Sequence, residues 1–247
     1  VTATTTGPDW AELATALASS LHLASSPISI SFGDGRPEGV PAFDEPLSDP
    51  AADGRRGRVP AGCVFWMRSA ERTFSTVPED HGNCSVGSFT HGLATLEEVA
   101  GREDVSTLLE SGWVTPDAVA QIPAISSRPG AVTYGPLGGH PAAPAPDVVL
   151  LRVNARQLMV LSDAIAGLRI EGKPQCHIVA VAKEQGEIAA SVGCALSRAR
   201  TGMPPEEMTV AIPAGRVQEV AEAVASTAEV DTLVAKYAAA DTRRFSG

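Results

Sequence analysis

Every cysteine of the chain falls in one of two segments, CVFWMRSAERTFSTVPEDHGNC from Cys63 to Cys84 and CHIVAVAKEQGEIAASVGC from Cys176 to Cys194. In each, a cysteine opens an apolar run, an alanine leads into charged residues (Ala70-Glu71-Arg72 and Ala182-Lys183-Glu184), and a second cysteine follows in a glycine-containing turn. Twenty residues intervene within the first pair, 17 within the second and 91 between the pairs. If the four thiols serve one site, the fold must carry four distant segments to one place. That excludes a minimal zinc ribbon, whose ligands sit in Cys-x-x-Cys turns, and requires a globular frame.

Composition says what kind of frame. Hydrophobic residues are 44% of 247 while aromatics are only 4%, so the core is built from Val, Ile, Leu and Ala, as in α/β proteins. The length exceeds one typical domain and suits either two small domains or one unit of two similar halves. A net charge of -10 argues against nucleic acid, because phosphate binding needs clustered Lys and Arg; the nearest to a cluster are Arg55-Arg56 with Arg58 and Arg243-Arg244. No apolar run reaches the ~20 residues of a membrane span and the first residues lack a signal-peptide pattern, so the expectation is a soluble cytoplasmic protein. In a reducing compartment four cysteines point to metal or redox chemistry rather than disulfides.

The chain opens with an amphipathic helix after Pro8-Asp9, its Trp10, Leu13, Leu17 and Leu21 on one face. Pro27 to Phe32 alternates as a half-buried strand does. Residues 33 to 58 are rich in Gly, Pro and Asp and read as an irregular insert packed on the body. Val59 to Met67 reads as a strand with Cys63 near its start, and Phe74 to Val77 as a second; Cys84 falls on a loop or at the mouth of a helix. Thr95 with Glu98 forms a capping box, Asp104 caps a further helix that Gly112 ends, and Thr115-Pro116 opens a third. Residues 126 to 146 are dense in Pro and Gly around a short strand at 131 to 134.

The second part restarts with Val148 to Val153, a continuous apolar run suited to a central strand, followed by a helix capped by Asn154 and Gln157. His177 to Ala182 and Ile188 to Val192 read as strands, Met208 to Ile212 as the last strand, and two helices close the chain. The expected fold is α/β, a mixed sheet flanked by helices, in two similar halves related by pseudo-symmetry: 1–130 with Cys63, Cys84 and the insert at 33–58, and 131–247 with Cys176 and Cys194.

Four cysteine thiolates are the number that one iron–sulfur cluster or one tetrahedral zinc takes. The competing reading is four buried cysteines acting as small hydrophobes. It suits Cys63 and Cys176, read as opening strands, better than Cys84 and Cys194, whose Gly-Asn-Cys84-Ser and Val-Gly-Cys194-Ala contexts are turns with backbone N–H groups to offer a thiolate. His81, three residues before Cys84, is a candidate catalytic imidazole beside Asp80; His177 adjoins Cys176, but neighbours on a strand face opposite ways. Arg68 and Arg198 stand five and four residues after a cysteine, where a guanidinium can neutralise an anionic cluster or hold a substrate carboxylate. There is no G-x-G-x-x-G after a strand and no G-x-x-x-x-G-K, so no nucleotide motif is read.

Taken in order, Pro27-Ile-Ser-Ile-Ser, Cys63 with Arg68, Asp80 to Cys84 and Gly87, Tyr134-Gly-Pro-Leu137, Pro146-Asp-Val-Val149, Gln157 with Ala164, Cys176, Gly193-Cys194 with Arg198, Glu206-Glu-Met208 and Ile212-Pro213 resemble the family catalogued as domain of unknown function 169, or ArCR. The resemblance runs from the first helix to the last strand. It implies a soluble prokaryotic protein and brings no settled activity with it; the insert at Gly33 to Arg58 is longer than the family's pattern.

These readings converge on one expectation: Cys63, Cys84, Cys176 and Cys194 bind a four-iron four-sulfur cluster between the halves of a small-molecule enzyme. Its chemistry is redox or Lewis-acid, with Arg68, Arg198 and His81 acting on substrate and an electron-donor protein as a partner. The alternative is a non-catalytic binding protein with a structural zinc or no metal.

Overall fold

The structure, a computed structural model, describes residues 7–45, 57–172 and 174–245. Its frame is one seven-stranded mixed sheet. The strands are β1 (Ile28–Gly33), β2 (Phe74–Thr76), β3 (Ala131–Pro136), β4 (Val148–Val153), β5 (Arg169–Glu171), β6 (Ala189–Ser191) and β7 (Met208–Pro213), in the order β2-β3-β1-β4-β7-β6-β5. All neighbours are antiparallel except β5 and β6. The run Val148–Val153 takes the middle place that its unbroken hydrophobicity requires, since both faces of the sheet are covered.

Alternate residues of these strands feed two cores. Ile28, Ile30, Val132, Tyr134, Val148 and Leu150 point to one face, where they meet two short helices, α2 (Cys63–Arg68) and α8 (His177–Ala180). Val149, Leu151, Val153, Val210 and Ile212 point to the other. There they pack on α1 (Trp10–Leu21), α7 (Ala155–Ala164) and the first turns of α10 (Val217–Phe245). Each fully buried Val, Leu or Ile contributes about 1.5–3 kcal/mol, so this three-layer arrangement is held chiefly by its central strands. The caps read in the sequence form: Asp9 accepts from the N–H groups of Ala11 and Glu12, and Asn154 and Gln157 close a reciprocal box.

Between β2 and β3 lie α3 (Ser85–Thr90), α4 (Leu96–Ala100), α5 (Glu103–Glu110) and α6 (Pro116–Ala120). Between β6 and β7 there is only α9 (Ala195–Thr201). The Thr95–Glu98 box and the Thr115 cap are formed. Asp104 does not cap α5. That position is Arg102, and the Asp104 carboxylate instead accepts from Ser85 N (3.1 Å) and Ser85 Oγ (2.6 Å), tying α5 to the start of α3.

Three further expectations are corrected. The strands read at 59–67 and 177–182 do not form: bends and a turn lead into the helix α2 at Cys63, and 177–180 is the helix α8, which runs into a π-turn at Val181–Gln185. Cys63, Val64, Phe65 and Trp66 are all buried, as are Ile178 to Ala182, and a short run buried all round has no periodicity to tell helix from strand. The two closing helices are one, α10, which no breaker interrupts. The polar side of β1 is covered as well: Ser31 is buried and its Oγ donates to Ala145 O (3.0 Å).

Of the irregular insert, residues 46–56, with Arg55 and Arg56, lie outside the described residues. The part before them packs on the body. Phe43 is buried, its N–H donates to Ser75 O (3.0 Å), and Ser75 N returns a bond to Pro41 O (2.8 Å), so this segment covers the edge of β2.

Candidate metal centre

All four cysteines stand at the beginning of a short helix. Cys63 is the first residue of α2, and Cys84, Cys176 and Cys194 immediately precede α3, α8 and α9. Thus the segments 63–90 and 176–201 share one order: a cysteine and helix, a strand at or next to the sheet's end, then a second cysteine and helix. Both lie on the same face of the sheet, and the four cysteines line one cavity of about 70 Å³. Roughly 10–15 Å³ by this measure holds one water, so the space exceeds what a single ion fills.

The charges of the four thiols act on one another. Burial pushes Cys63 up to about 12, with the Cys84 thiolate adding to the rise. Burial raises Cys84 and Cys176 as well, and every pair among the four cysteines repels when ionised. Four thiols so placed are costly to ionise unless a cation compensates them. Among the described residues, no group of three or more His, Cys, Asp or Glu is set to hold a metal ion.

Around the sulfurs the chain has arranged donors. Gln175 Nε2 lies 3.0 Å from Cys63 Sγ and 3.1 Å from Ser197 Oγ, while its Oε1 is buried with no partner. Backbone N–H groups of Gly87 and Gly62 reach Cys84, and the Thr90 hydroxyl reaches Cys176. Gly87 cannot carry a side chain without disturbance: a Cβ there would stand 3.0 Å from Cys84 Sγ.

His81 lines the cavity, fully buried rather than solvated, with Nε2 2.9 Å from Thr76 Oγ1. Burial holds it well below the usual histidine range, and brings His91, also in the wall, down to about 4. Both rings are therefore neutral at pH 7 and pack at tilted angles among Phe65, Trp66 and Tyr134.

Neither candidate arginine lines the cavity. Arg68 is exposed and pairs with Glu45 (2.8 Å). Arg198 spends its guanidinium on carbonyls, donating to Pro205 O (3.0 Å), Val192 O (3.1 Å) and Glu207 O (2.6 Å), which clamps the turn before Cys194. The arginine in the cavity wall is Arg200, whose Nη1 donates to Asn83 O (3.1 Å). Sequence reasoning missed Arg200, Gln175, Ser197, His91 and Asp104. Only the first three carried a local signal, adjacency to Cys176 and helical spacing after Cys194. The second imidazole near a cysteine, His177, is buried with Nε2 3.4 Å from Glu171 and is not in the cavity wall. The remaining wall is apolar and comes from α4 to α6 and the turns between them, through Val99, Val105, Leu108, Trp113, Val119 and Ile122.

A mixed seven-stranded sheet between helical layers, with a cavity on one face into which four helix-initiating cysteines converge, defines an α/β protein with a candidate thiolate metal site. The family profile described as DUF169, Uncharacterised ArCR, matches residues 16–223, and the chain belongs to that family. No curated protein and no solved structure matches the chain. The match ends within α10, before the stretch that exposes Val230, Leu233, Val234 and Tyr237, and no helix among the described residues is long and apolar enough to cross a membrane.

Proposed function

We propose that Cys63, Cys84, Cys176 and Cys194 hold one four-iron four-sulfur cluster, and that the protein acts with it on a small molecule admitted to the same cavity. The observation that carries this is the convergence of all the chain's cysteines, from four separated segments, on one cavity beneath an apolar wall. A tetrathiolate zinc holds its sulfurs within about 4 Å of one another. A cluster interposes its own irons and sulfides and keeps its thiolates wider apart. Such a cluster supplies either an electron or, at an iron lacking a cysteine, a Lewis acid.

The chain's own residues would do the rest. Gln175 and the Gly62 and Gly87 N–H groups direct hydrogen-bond donors at the sulfurs and offset their charge. Arg200 brings positive charge to the rim, and neutral His81 and His91 offer ring nitrogens without adding charge. The wall from α4 to α6 excludes water, which strengthens each of these interactions. An electron-donor protein belongs to the redox form of this reading.

The same proposal adds a pseudo-two-fold axis through the β1–β4 pair, relating residues 28–136 to 148–213 in place of the halves 1–130 and 131–247 expected from the sequence. Three registers support it. Ile28 pairs with Leu150 and Ile30 with Val148, symmetrically about Ser29 and Val149. Ile28 opposite Pro136 corresponds to Val148 opposite Pro213, and Phe74 opposite Tyr134 to Ala189 opposite Ala211. Such an axis carries one cysteine pair onto the other.

Anaerobic purification and reconstitution test the assignment. Brown protein with broad absorption near ~400 nm and iron and sulfide in equal amounts is expected. Protein that remains colourless under those conditions, or that holds one tightly bound zinc, refutes it.

A further inference from the structure

The helix α10 carries two apolar groups of identical spacing. Val217, Val220, Ala221 and Val224 are buried in the core shared with α1 and α7. Val230, Leu233, Val234 and Tyr237 repeat the i, i+3, i+4, i+7 pattern but are 56% to 73% exposed. Val230 follows Val217 by 13 residues, and at about 100° per residue this turns the second group about 140° away from the first. The surface that covers the first group thus lies on the other side of the helix from the second. Among the described residues, every side chain from Glu229 to Thr242 is exposed. That stretch is about 20 Å long, and a helix of that length is marginal in water unless an apolar face is packed.

The pattern of the second group says what fits it. Its four residues are symmetric about the point between Leu233 and Val234, so an identical helix laid antiparallel sets Leu233 against Val234 and Val230 against Tyr237. Glu229 and Lys236, seven residues apart, border the same edge of this stripe. Antiparallel pairing brings like edges together and places Glu229 of each copy beside Lys236 of the other, in two ion pairs of opposite charge. A parallel pair brings unlike edges together and leaves both charges unmatched.

We propose that this face of α10 is a dimerisation surface, and that its occupant is the same face of a second copy of the chain, antiparallel about a two-fold axis beside Leu233. The four side chains offer on the order of 500 Å² per copy, so a pair hides on the order of 1,000 Å², the lower bound for a specific interface. The dimer is accordingly weak, assembling at micromolar rather than nanomolar concentrations.

Sedimentation velocity of the chain across about 1–300 μM tests this, each variant being checked for native helix content by circular dichroism. Wild type is expected to pass from monomer to dimer within that range, and Leu233→Asp to stay monomeric throughout. Glu229→Lys leaves the apolar stripe intact and sets like charges together, so at low salt the dissociation constant should rise at least about threefold. Adding Lys236→Glu restores opposite charges and should return it to within about twofold of wild type. Carbodiimide coupling of mixed isotope-labelled and unlabelled chains reads the orientation. An amide joining Glu229 of one copy to Lys236 of the other is expected by mass spectrometry, since within one helix the two stand about 10 Å apart. Wild type that remains monomeric at the top of the range overturns the proposal, whatever other protein the face then takes. Leu233→Asp that dimerises as wild type does also overturns it. Weakening by Glu229→Lys that Lys236→Glu fails to relieve, or no coupled product from a dimeric sample, overturns the antiparallel arrangement.

Discussion

Replacing Gln175 by Leu separates a side chain kept for the site from one kept for the fold. Gln175 is 1% exposed; its amide N–H₂ group reaches Cys63 Sγ and Ser197 Oγ, and its Oε1 is buried with no partner. Leucine has nearly the same volume, so no cavity opens. Two hydrogen bonds of about 1 kcal/mol net each are lost, while the unpaired buried oxygen, a cost of about 1–3 kcal/mol, is removed with them. The terms nearly cancel. Metal-free, reduced Gln175→Leu is expected to match wild type within about 1 kcal/mol in urea unfolding. In cluster-loaded protein, losing the N–H···S bond destabilises the more negative reduced state, so the reduction potential should fall. A loss of more than about 3 kcal/mol in the metal-free protein would mean that Oε1 is satisfied after all and would refute this reasoning.

Other outcomes follow from the same geometry. Leu151→Ala, on the central strand and 0% exposed, should cost about 2–5 kcal/mol in chemical unfolding, whereas a cost below 1 kcal/mol would mean that this core is not the main support. Gly193→Ala combines a φ of +123° with a Cβ 1.9 Å from Arg198 Nη1, so a loss on the order of 2–4 kcal/mol is expected, together with easier proteolysis of the turn before Cys194. His91 is about 4 when folded against about 6.5 unfolded. The unfolded chain therefore binds a proton first, and the metal-free protein should lose stability as pH falls from 6.5 to 4, by about 3 kcal/mol from this residue. His91→Asn should flatten that part of the pH–stability curve; an unchanged slope would place the proton uptake elsewhere.

The legible parts of the fold were those with local chemistry. Asn154 with Gln157, Thr95 with Glu98, and Asp9 are caps, and a cap satisfies N–H groups within three residues of itself, so its evidence lies in the sequence beside it. Val148–Val153 announced a central strand because a strand covered on both faces has no polar side to show. The misread segments, 59–67 and 177–182, share the same uniform hydrophobicity, but here it comes from helices sunk into the core. Composition is the same in both cases, and only the partner surface differs.

The site divides in the same way. The residues of interest were visible as thiols, and Cys84 was read as on a loop or at the mouth of a helix; the structure puts it at the start of α3, and puts Cys194, read only as in a turn, at the start of α9. The arginines were chosen by distance along the chain from a cysteine, and distance along a helix does not say which way a side chain leaves it. Arg198 and Arg200 are two residues apart on α9, on different sides: one clamps the turn at 192 and 207, the other lines the cavity.

By itself the sequence determined the class of the fold, its middle strand, the helix starts capped by Asp9, Thr95, Thr115 and Asn154 and the four thiols, because each depends on a residue's own chemistry or on neighbours within a turn or two. Only the tertiary structure decided that the four cysteines line one cavity, that Gln175, His91 and Arg200 line it with them, and that an apolar wall is added on one side alone. Those are contacts between distant segments, 112 residues apart for Gln175 and Cys63 and 117 for Arg200 and Asn83. They exist because antiparallel pairing through β1 and β4 lays the two cysteine segments on one face of a common sheet.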